Sequence, residues 1–269
     1  MRNVKLLIAY DGTAYAGWQR QPLRLGNTVQ YQVEKALTTL FGEQISINGA
    51  GRTDSGVHAL GQVANFYCRK PIPIERMVAA VNHQLPLDIR VLQAEEMPLG
   101  FHARYGAVSK RYRYLIEQGA QPTAFVHRYS WQMDPLLDIE AMVQGAAALI
   151  GQHDFRHYTV SGVSAVNFVR TISALQIMEP PVSEQEFPWQ PLRQPLTIEI
   201  SANGFLYRMV RMIVCRLVAV GLHQVPPEAI GDFLSGTLKR NIRMAPPQGL
   251  MLMEVGYGSG LSQIEGNFP

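Results

Sequence analysis

Asp54 stands in the segment Gly49-Ala50-Gly51-Arg52-Thr53-Asp54-Ser55-Gly56-Val57-His58-Ala59. Three glycines around an arginine and an aspartate make a loop whose backbone can approach another molecule closely, and a carboxylate held there is a candidate reactive group. Asp-Ser-Gly is also a good turn sequence, so residue chemistry alone leaves a reactive carboxylate and a turn former both open. No second carboxylate is evident as an acid–base partner, and Asp11 and Asp154 are candidates for structural roles. The segment begins like a dinucleotide fingerprint but has Asp54 where the third glycine belongs, and it lacks the Lys-Ser/Thr pair of a phosphate-binding loop. His153 and His157 have the i, i+4 spacing of two metal ligands on one helix face. Phe155, Tyr158 and Val160 make that stretch as strand-like as helical, however, and no third ligand is suggested, so a metal-dependent hydrolase is the most distant reading.

Basic and aromatic residues form the second constellation. The formal net charge is only +3, but residues 101–133, 200–227 and 236–249 carry +4, +3 and +3, leaving the rest of the chain near −7. The same segments supply Tyr105, Tyr112, Tyr114, Phe125, Tyr129, Trp131 and Phe205. Guanidinium groups interleaved with rings suit single-stranded or distorted RNA, where phosphates need cations and unstacked bases need flat partners. Alternating Arg and Tyr on a strand describes a solvated face opposite a core face equally well. At helical spacing Leu206, Met209, Val210, Ile213 and Leu217 share one face, with Arg208, Arg211 and Arg216 around the other and no acid to pair with them.

The elements that must position these groups follow from the periodicity. A strand is predicted over residues 4–10 and a helix from near Asn27, with Asn27 and Gln30 resembling a capping box. Strands at 44–50 and 61–68 flank the Asp54 loop, and a helix at 74–84 and a strand at 89–96 complete a β-α-β-β-α-β, ferredoxin-like order. The second half reads as a strand at 107–117, a helix at 138–150 ended by Gly151, strands near 165–178 and 195–202, a helix capped by Asn203 and running to Gly221, and a last strand from Gly249 to Tyr257. The expected fold class is α+β, in two lobes over residues 1–105 and 106–269 whose sheets join. The Pro-rich stretch from Glu179 to Pro195 reads as a surface excursion.

Composition excludes other classes. An apolar content of 47% rules out disorder. The longest apolar stretch, Phe205 to Gly221, is broken by three arginines, too often for a membrane span. No secretory cleavage site follows the N-terminal strand, and Cys68 and Cys215 cannot form a disulfide framework, so a soluble protein in a reducing, cytoplasmic compartment is expected.

With these segments assembled, the sequence resembles the TruA family of tRNA pseudouridine synthases. The resemblance is carried by Tyr10-Asp-Gly-Thr-Ala-Tyr-Ala-Gly-Trp-Gln19, Gly26-Asn-Thr-Val-Gln30, the Gly49–Ala59 loop, Phe101-His-Ala-Arg104, Lys110-Arg-Tyr-Arg-Tyr114, His153-Asp-Phe155, Arg170-Thr-Ile172 and Gly204-Phe-Leu-Tyr-Arg-Met-Val-Arg211. The resemblance implies isomerisation of uridine to pseudouridine at tRNA positions 38, 39 and 40, in the anticodon stem-loop, without cofactor or metal. It implies two RRM-like α+β lobes sharing a central, mostly antiparallel sheet, with the active site in the cleft between them, and a homodimer. Asp54 matches the catalytic carboxylate and nucleophile, Tyr112 the tyrosine that stacks on the target base and is available as a general base, Arg211 the partner of the aspartate, and Arg52 the residue that helps extrude the nucleotide. Arg104, Lys110, Arg111 and Arg208 join Tyr112 and Arg52 as expected substrate contacts. The chain departs from the family pattern at Arg156-His157-Tyr158, where relatives usually carry small residues and Phe. The alternative reading is a non-enzymatic RNA-binding or chaperone protein of the same fold.

Overall fold

The computed structural model describes residues 1–22, 27–119, 127–160, 167–179, 195–238 and 243–258. Its strands are β1 (Arg2–Tyr10), β2 (Ile47–Gly49), β3 (His58–Cys68), β4 (Ile89–Met97), β5 (Ala107–Gln118), β6 (Trp131–Met133), β7 (Gly151–Asp154), β8 (Val169–Met178), β9 (Leu196–Ala202) and β10 (Leu250–Tyr257). The helices are α1 (Val29–Phe41), α2 (Ile74–Gln84), α3 (Ile139–Ala146), α4 (Met209–Gly221) and α5 (Ala229–Ser235). The fold is mixed α and β, with a large and mostly antiparallel sheet in which β5 and β6 pair in parallel.

The chain divides into two compact units, Met1–Lys110 with Leu252–Pro269, and Arg111–Met251. In the first, the strand order is β4-β1-β3-β10, with β2 also pairing on β3. β1 runs antiparallel to both neighbours, pairing Leu6 with Ala64 and with Ala94. Val4, Leu6 and Ile8 on one face of β1 are fully buried together with Val33 and Leu37 of α1 and Met77 and Val81 of α2. On its other face Lys5 is buried as well: it reaches Glu95 at 2.7 Å and lies 5.8 Å and 5.9 Å from the Phe101 and Tyr257 ring centroids. A buried ammonium needs such a partner, because desolvation penalises an isolated charge by several kcal/mol. In the second unit the order is β5-β9-β8-β7, and α3 packs on α4. β10 from Leu252 onward belongs to the first unit, where it lies beside β3.

Several local expectations shift. Thr28, not Asn27, caps α1: its side chain accepts from Tyr31 N, and Gln30 is spent inside the unit on Arg20 N, Glu34 and Ile47 O. Asn and Thr are adjacent and both good caps, so the sequence could not separate them. The predicted helix at 138–150 ends at Ala146 and gives way to a 3-10 turn over Ala147–Leu149, and Gly151, at φ +100°, opens β7 rather than closing the helix. Asn203 is not the cap of α4, which starts only at Met209; Asn203 instead exchanges hydrogen bonds with Thr171. Residues 165–166 of one predicted strand and most of the Pro-rich stretch, 180–194, lie outside the described residues. Among the described residues no helix is long and apolar enough to cross a membrane.

Candidate active site

In the first unit the Asp54 loop is clamped against the segment that follows β1. Trp18 N donates to Thr53 O at 3.1 Å, and Ser55 Oγ and Gly56 N both donate to Tyr15 O, at 3.1 and 3.4 Å. The Tyr10 hydroxyl and Thr53 Oγ1 are 2.8 Å apart, in the interior, and burial pushes the Tyr10 hydroxyl well above its ordinary pKa, so it stays a neutral partner. Gln62 Nε2 holds Gly51 O at 2.9 Å. The glycines make this approach possible: a Cβ on Gly12 would lie 2.0 Å from Val57 O, and one on Gly17, which has φ +96°, 2.6 Å from Thr53 O. Asp54 itself is partly exposed, and its carbonyl closes a turn by accepting from Val57 N at 3.2 Å. The turn is closed by the backbone of Asp54, whatever its side chain does.

His58, next along, is buried and accepts the Gly12 N–H at Nδ1, 3.0 Å away. Asp11 Oδ1 lies 3.1 Å from the same nitrogen. A buried amide must find an acceptor, and for Gly12 N–H it is this ring nitrogen. Asp11 Oδ1 takes Thr13 N and Thr13 Oγ1. Asp11 is thus structural, as expected.

The first unit also carries three of the predicted RNA contacts. Arg52 is exposed and is oriented by Gln19 Oε1 at 3.0 Å. Lys110 reaches the Asp54 loop, its Nζ 3.1 Å from where a Gly51 Cβ would stand. Arg104 lies on a turn organised by His102 Nδ1, its Cζ 5.7 Å from the Tyr105 ring centroid.

In the second unit β5 sorts its residues by face, as the alternation predicted. Tyr112 and Tyr114 are buried, whereas Arg111 and Arg113 converge on Glu199 of β9, at 3.3 and 2.6 Å. Sequence reasoning missed that partner because it lies far along the chain. Tyr112 packs edge-on against Phe205, 5.2 Å between centroids at 88°. Tyr114 is fully buried, and its hydroxyl donates to Pro246 O at 2.8 Å. Burial pushes that hydroxyl strongly upward, and the nearby positive charge of Arg211 opposes the shift.

The three arginines of the 204–221 stretch do not form a solvated face. Arg211 is buried, with Nε donating to Ala245 O at 2.8 Å. Arg216 is buried between two rings, its Cζ 3.9 Å from the Tyr158 centroid and 4.4 Å from that of Phe233, and Nη2 donates to His157 O at 2.7 Å. Arg208 precedes α4 in a left-handed conformation, φ +62°. Adjacent carbonyls, Ala245 O and Pro246 O, thereby hold Arg211 of α4 and Tyr114 of β5. Tyr114 stood in the Lys110–Tyr114 motif with no role, and nothing in the sequence signals the 245–246 anchor.

His153 and His157 do not share a helix face: His153 is on β7 with Nε2 2.9 Å from Ile150 O, and His157 lies in a 3-10 turn with its ring against Gly236. Among the described residues no group of three or more His, Cys, Asp and Glu side chains could hold a metal ion. The departure from the family pattern is absorbed locally: Arg156 pairs with Asp154, and the Tyr158 hydroxyl donates to Ile230 O at 3.1 Å.

Comparison with known proteins gives concordant matches. The family described as tRNA pseudouridine synthase matches residues 6–106 and 146–258. The chain is 43% identical over 258 residues, 96% of its length and the whole of the relative, to a protein named tRNA pseudouridine synthase A from Acetivibrio thermocellus. It is 44% identical over the same span to the protein of that name from Moorella thermoacetica, again with 96% of this chain and all of the relative covered. Among solved structures, a Cbf5-Nop10-Gar1 complex aligns with a TM-score of 0.39 at 10% identity, covering 93% of this chain and 49% of that one, a likeness too distant to carry an argument.

Proposed function

The chain belongs to the tRNA pseudouridine synthase family, and from that premise we propose that it isomerises uridine to pseudouridine at positions 38, 39 and 40 of the tRNA anticodon stem-loop, with Asp54 as the catalytic carboxylate. The observation that carries this reading is the clamp on the Asp54 loop, which leaves Asp54 a partly exposed residue on a backbone held through Thr53, Ser55 and Gly56. Preorganisation of this kind keeps a reacting group within the small tolerance that a near-attack geometry allows.

The reaction breaks the N1–C1′ bond, turns the uracil and joins C5 to C1′. The proton lost from C5 is balanced by one gained at N1, so the residues need only bind, orient and move protons. An ionised Asp54 serves any of three routes: attack at C1′, addition to C6, or removal of the C2′ proton. Arg211 is the cation assigned to keep the carboxylate ionised, since an opposite charge nearby favours that form. A base stacked in a stem must first be flipped out, at a few kcal/mol. Arg52 is assigned to extrusion, Tyr112 to stacking on the flipped base with its hydroxyl available to the C5 proton, and Arg104, Lys110, Arg111 and Arg208 to further RNA contacts. Arg111 enters that set with Glu199 as its competitor.

The finer architecture belongs to the same proposal. The order β4-β1-β3-β2, all antiparallel, supports a ferredoxin-like first lobe. A comparable second lobe, a central sheet common to both, a homodimer and a cytoplasmic location complete it. The test is site-resolved pseudouridine mapping on a uridine-containing tRNA transcript. Asp54→Ala is expected to bind tRNA and form no pseudouridine. Substantial turnover by that variant would remove Asp54 from the mechanism, and binding without modification by the unaltered protein would leave only an RNA-binding role.

A further inference from the structure

Arg208 is the wrong residue for its place twice over. It precedes the first turn of α4, where Ser, Thr, Asp or Asn normally accepts a helix N–H, and its side chain makes no such bond. Its backbone is left-handed, φ +62° and ψ 9°, a conformation that L side chains avoid and glycine adopts freely. The surroundings hold it there: Tyr207 O accepts Thr159 Oγ1 at 2.8 Å, Met209 N bonds to Leu206 O at 3.1 Å, and Met212 N bonds to Arg208 O at 3.0 Å. Strain retained in this way points to what the residue presents.

What it presents is a cation on a ring. The Arg208 Cζ lies 4.7 Å from the Tyr207 centroid, and Tyr207 remains 47% exposed. The pair is also placed among the residues assigned to the reaction in the same unit. Phe205, two residues before Tyr207, packs on Tyr112, and Arg211 lies one turn into the helix that Arg208 begins.

We infer that Tyr207 backed by Arg208 is a stacking platform for an unpaired tRNA base beside the flipped uridine, with the Arg208 charge serving the adjoining phosphate. The chemistry is that of single-strand recognition: every base has a π-face, so an exposed ring accepts any of them, and a guanidinium supplies both a planar surface and a positive charge. The platform is therefore sequence-tolerant and acts on affinity, which suits an enzyme that must hold a stem-loop whose pairing it has disrupted. The inference rests on the tRNA reading above.

The experiment measures KM and kcat for pseudouridine formation on a tRNA transcript, direct tRNA affinity in the Asp54→Asn background, and the melting temperature of each variant. Tyr207→Ala is expected to raise KM and weaken tRNA affinity about tenfold, the order that one base–aromatic stack is worth, with kcat little changed. Tyr207→Phe, which keeps the ring, restores most of that affinity. Arg208→Gly relieves the left-handed strain, so its melting temperature rises even as affinity falls and the salt dependence of binding loses about one unit of slope. Unchanged KM and affinity in Tyr207→Ala overturns the stacking role, as does an effect confined to kcat. Unchanged affinity in Arg208→Gly removes the arginine from the platform. If the unaltered protein neither binds nor modifies tRNA, the functional reading fails and the platform falls with it, whereas an unaltered protein that binds and modifies tRNA alongside an unaffected Tyr207→Ala overturns the platform alone.

Discussion

Tyr114→Phe removes one oxygen atom and leaves the packing in place. The ring is fully buried, sits against Gly249 and contacts Trp131 edge-on, and a phenylalanine keeps all of this. What is lost is the 2.8 Å hydrogen bond to Pro246 O. The acceptor is only part-buried, so leaving it without its partner costs about 1 kcal/mol, the low end of the ~1–3 kcal/mol lost when a carbonyl stays fully desolvated. At 2–4 °C per kcal/mol for chains near this size, the melting temperature should fall by about 2–4 °C. A second effect follows from the neighbouring carbonyl. Ala245 O accepts Arg211 Nε at 2.8 Å, so release of Pro246 loosens the anchor that aims Arg211. Single-turnover pseudouridine formation with enzyme in excess should therefore slow by about tenfold, equivalent to ~1.4 kcal/mol in the barrier, with tRNA affinity unchanged. Urea denaturation gives the stability and site-resolved mapping gives the rate. A variant as stable and as fast as the parent would refute both the energetics and the positioning argument. Loss of stability with full single-turnover rate would refute the positioning alone.

Two further predictions test the scaffold. Gly12→Ala places a methyl 2.0 Å from Val57 O, a backbone atom that cannot turn aside, and should cost several kcal/mol by forcing the Asp54 loop away from its clamp. Gly42→Ala, at φ +68° with nothing within 4 Å, should cost only the ~1–2 kcal/mol of left-handed strain, and comparable melting temperatures for the two would show that the close approach is not the issue. The Cys215 thiol is buried and pushed up to about 11, and that of Cys68 is also raised by burial. At pH 8 both lie below their pKa and are protonated, so neither supplies much thiolate. A thiol-disulfide reagent should label the native protein only at the rate at which it unfolds, and rapid stoichiometric labelling would contradict the burial.

The legibility of this protein in its sequence was uneven for physical reasons. The span of α2 was read as it stands, because its apolar residues recur at helical spacing between Pro73 and the extended backbone at Leu85. The alternation in β5 separated the tyrosines from the arginines because side chains on a strand change face at every residue. β6, β7 and α5 were missed, since three, four and seven residues are too few to show a period. The start of α4 was placed too early because Gly204 to Tyr207 continue its apolar pattern, while the left-handed turn at Arg208 leaves no trace in residue type. Arg211 and Arg216 were read as a polar face because periodicity reports charge, not whether a carbonyl or an aromatic ring receives it.

By itself the sequence determined what is local or carried in motifs: the βαββαβ order of the first unit, the Gly-rich loop that presents Asp54, the two faces of β5 and the family. Only the tertiary structure decided what each of those groups leans on. Tyr10 meets Thr53, Arg111 meets Glu199, Arg216 lies between Tyr158 and Phe233, and Ala245 and Pro246 hold Arg211 and Tyr114. The periods of helices and strands are written in neighbouring residues. A contact across tens of residues depends on how the whole core closes, and a backbone carbonyl that receives a buried arginine looks the same in sequence as one that does not.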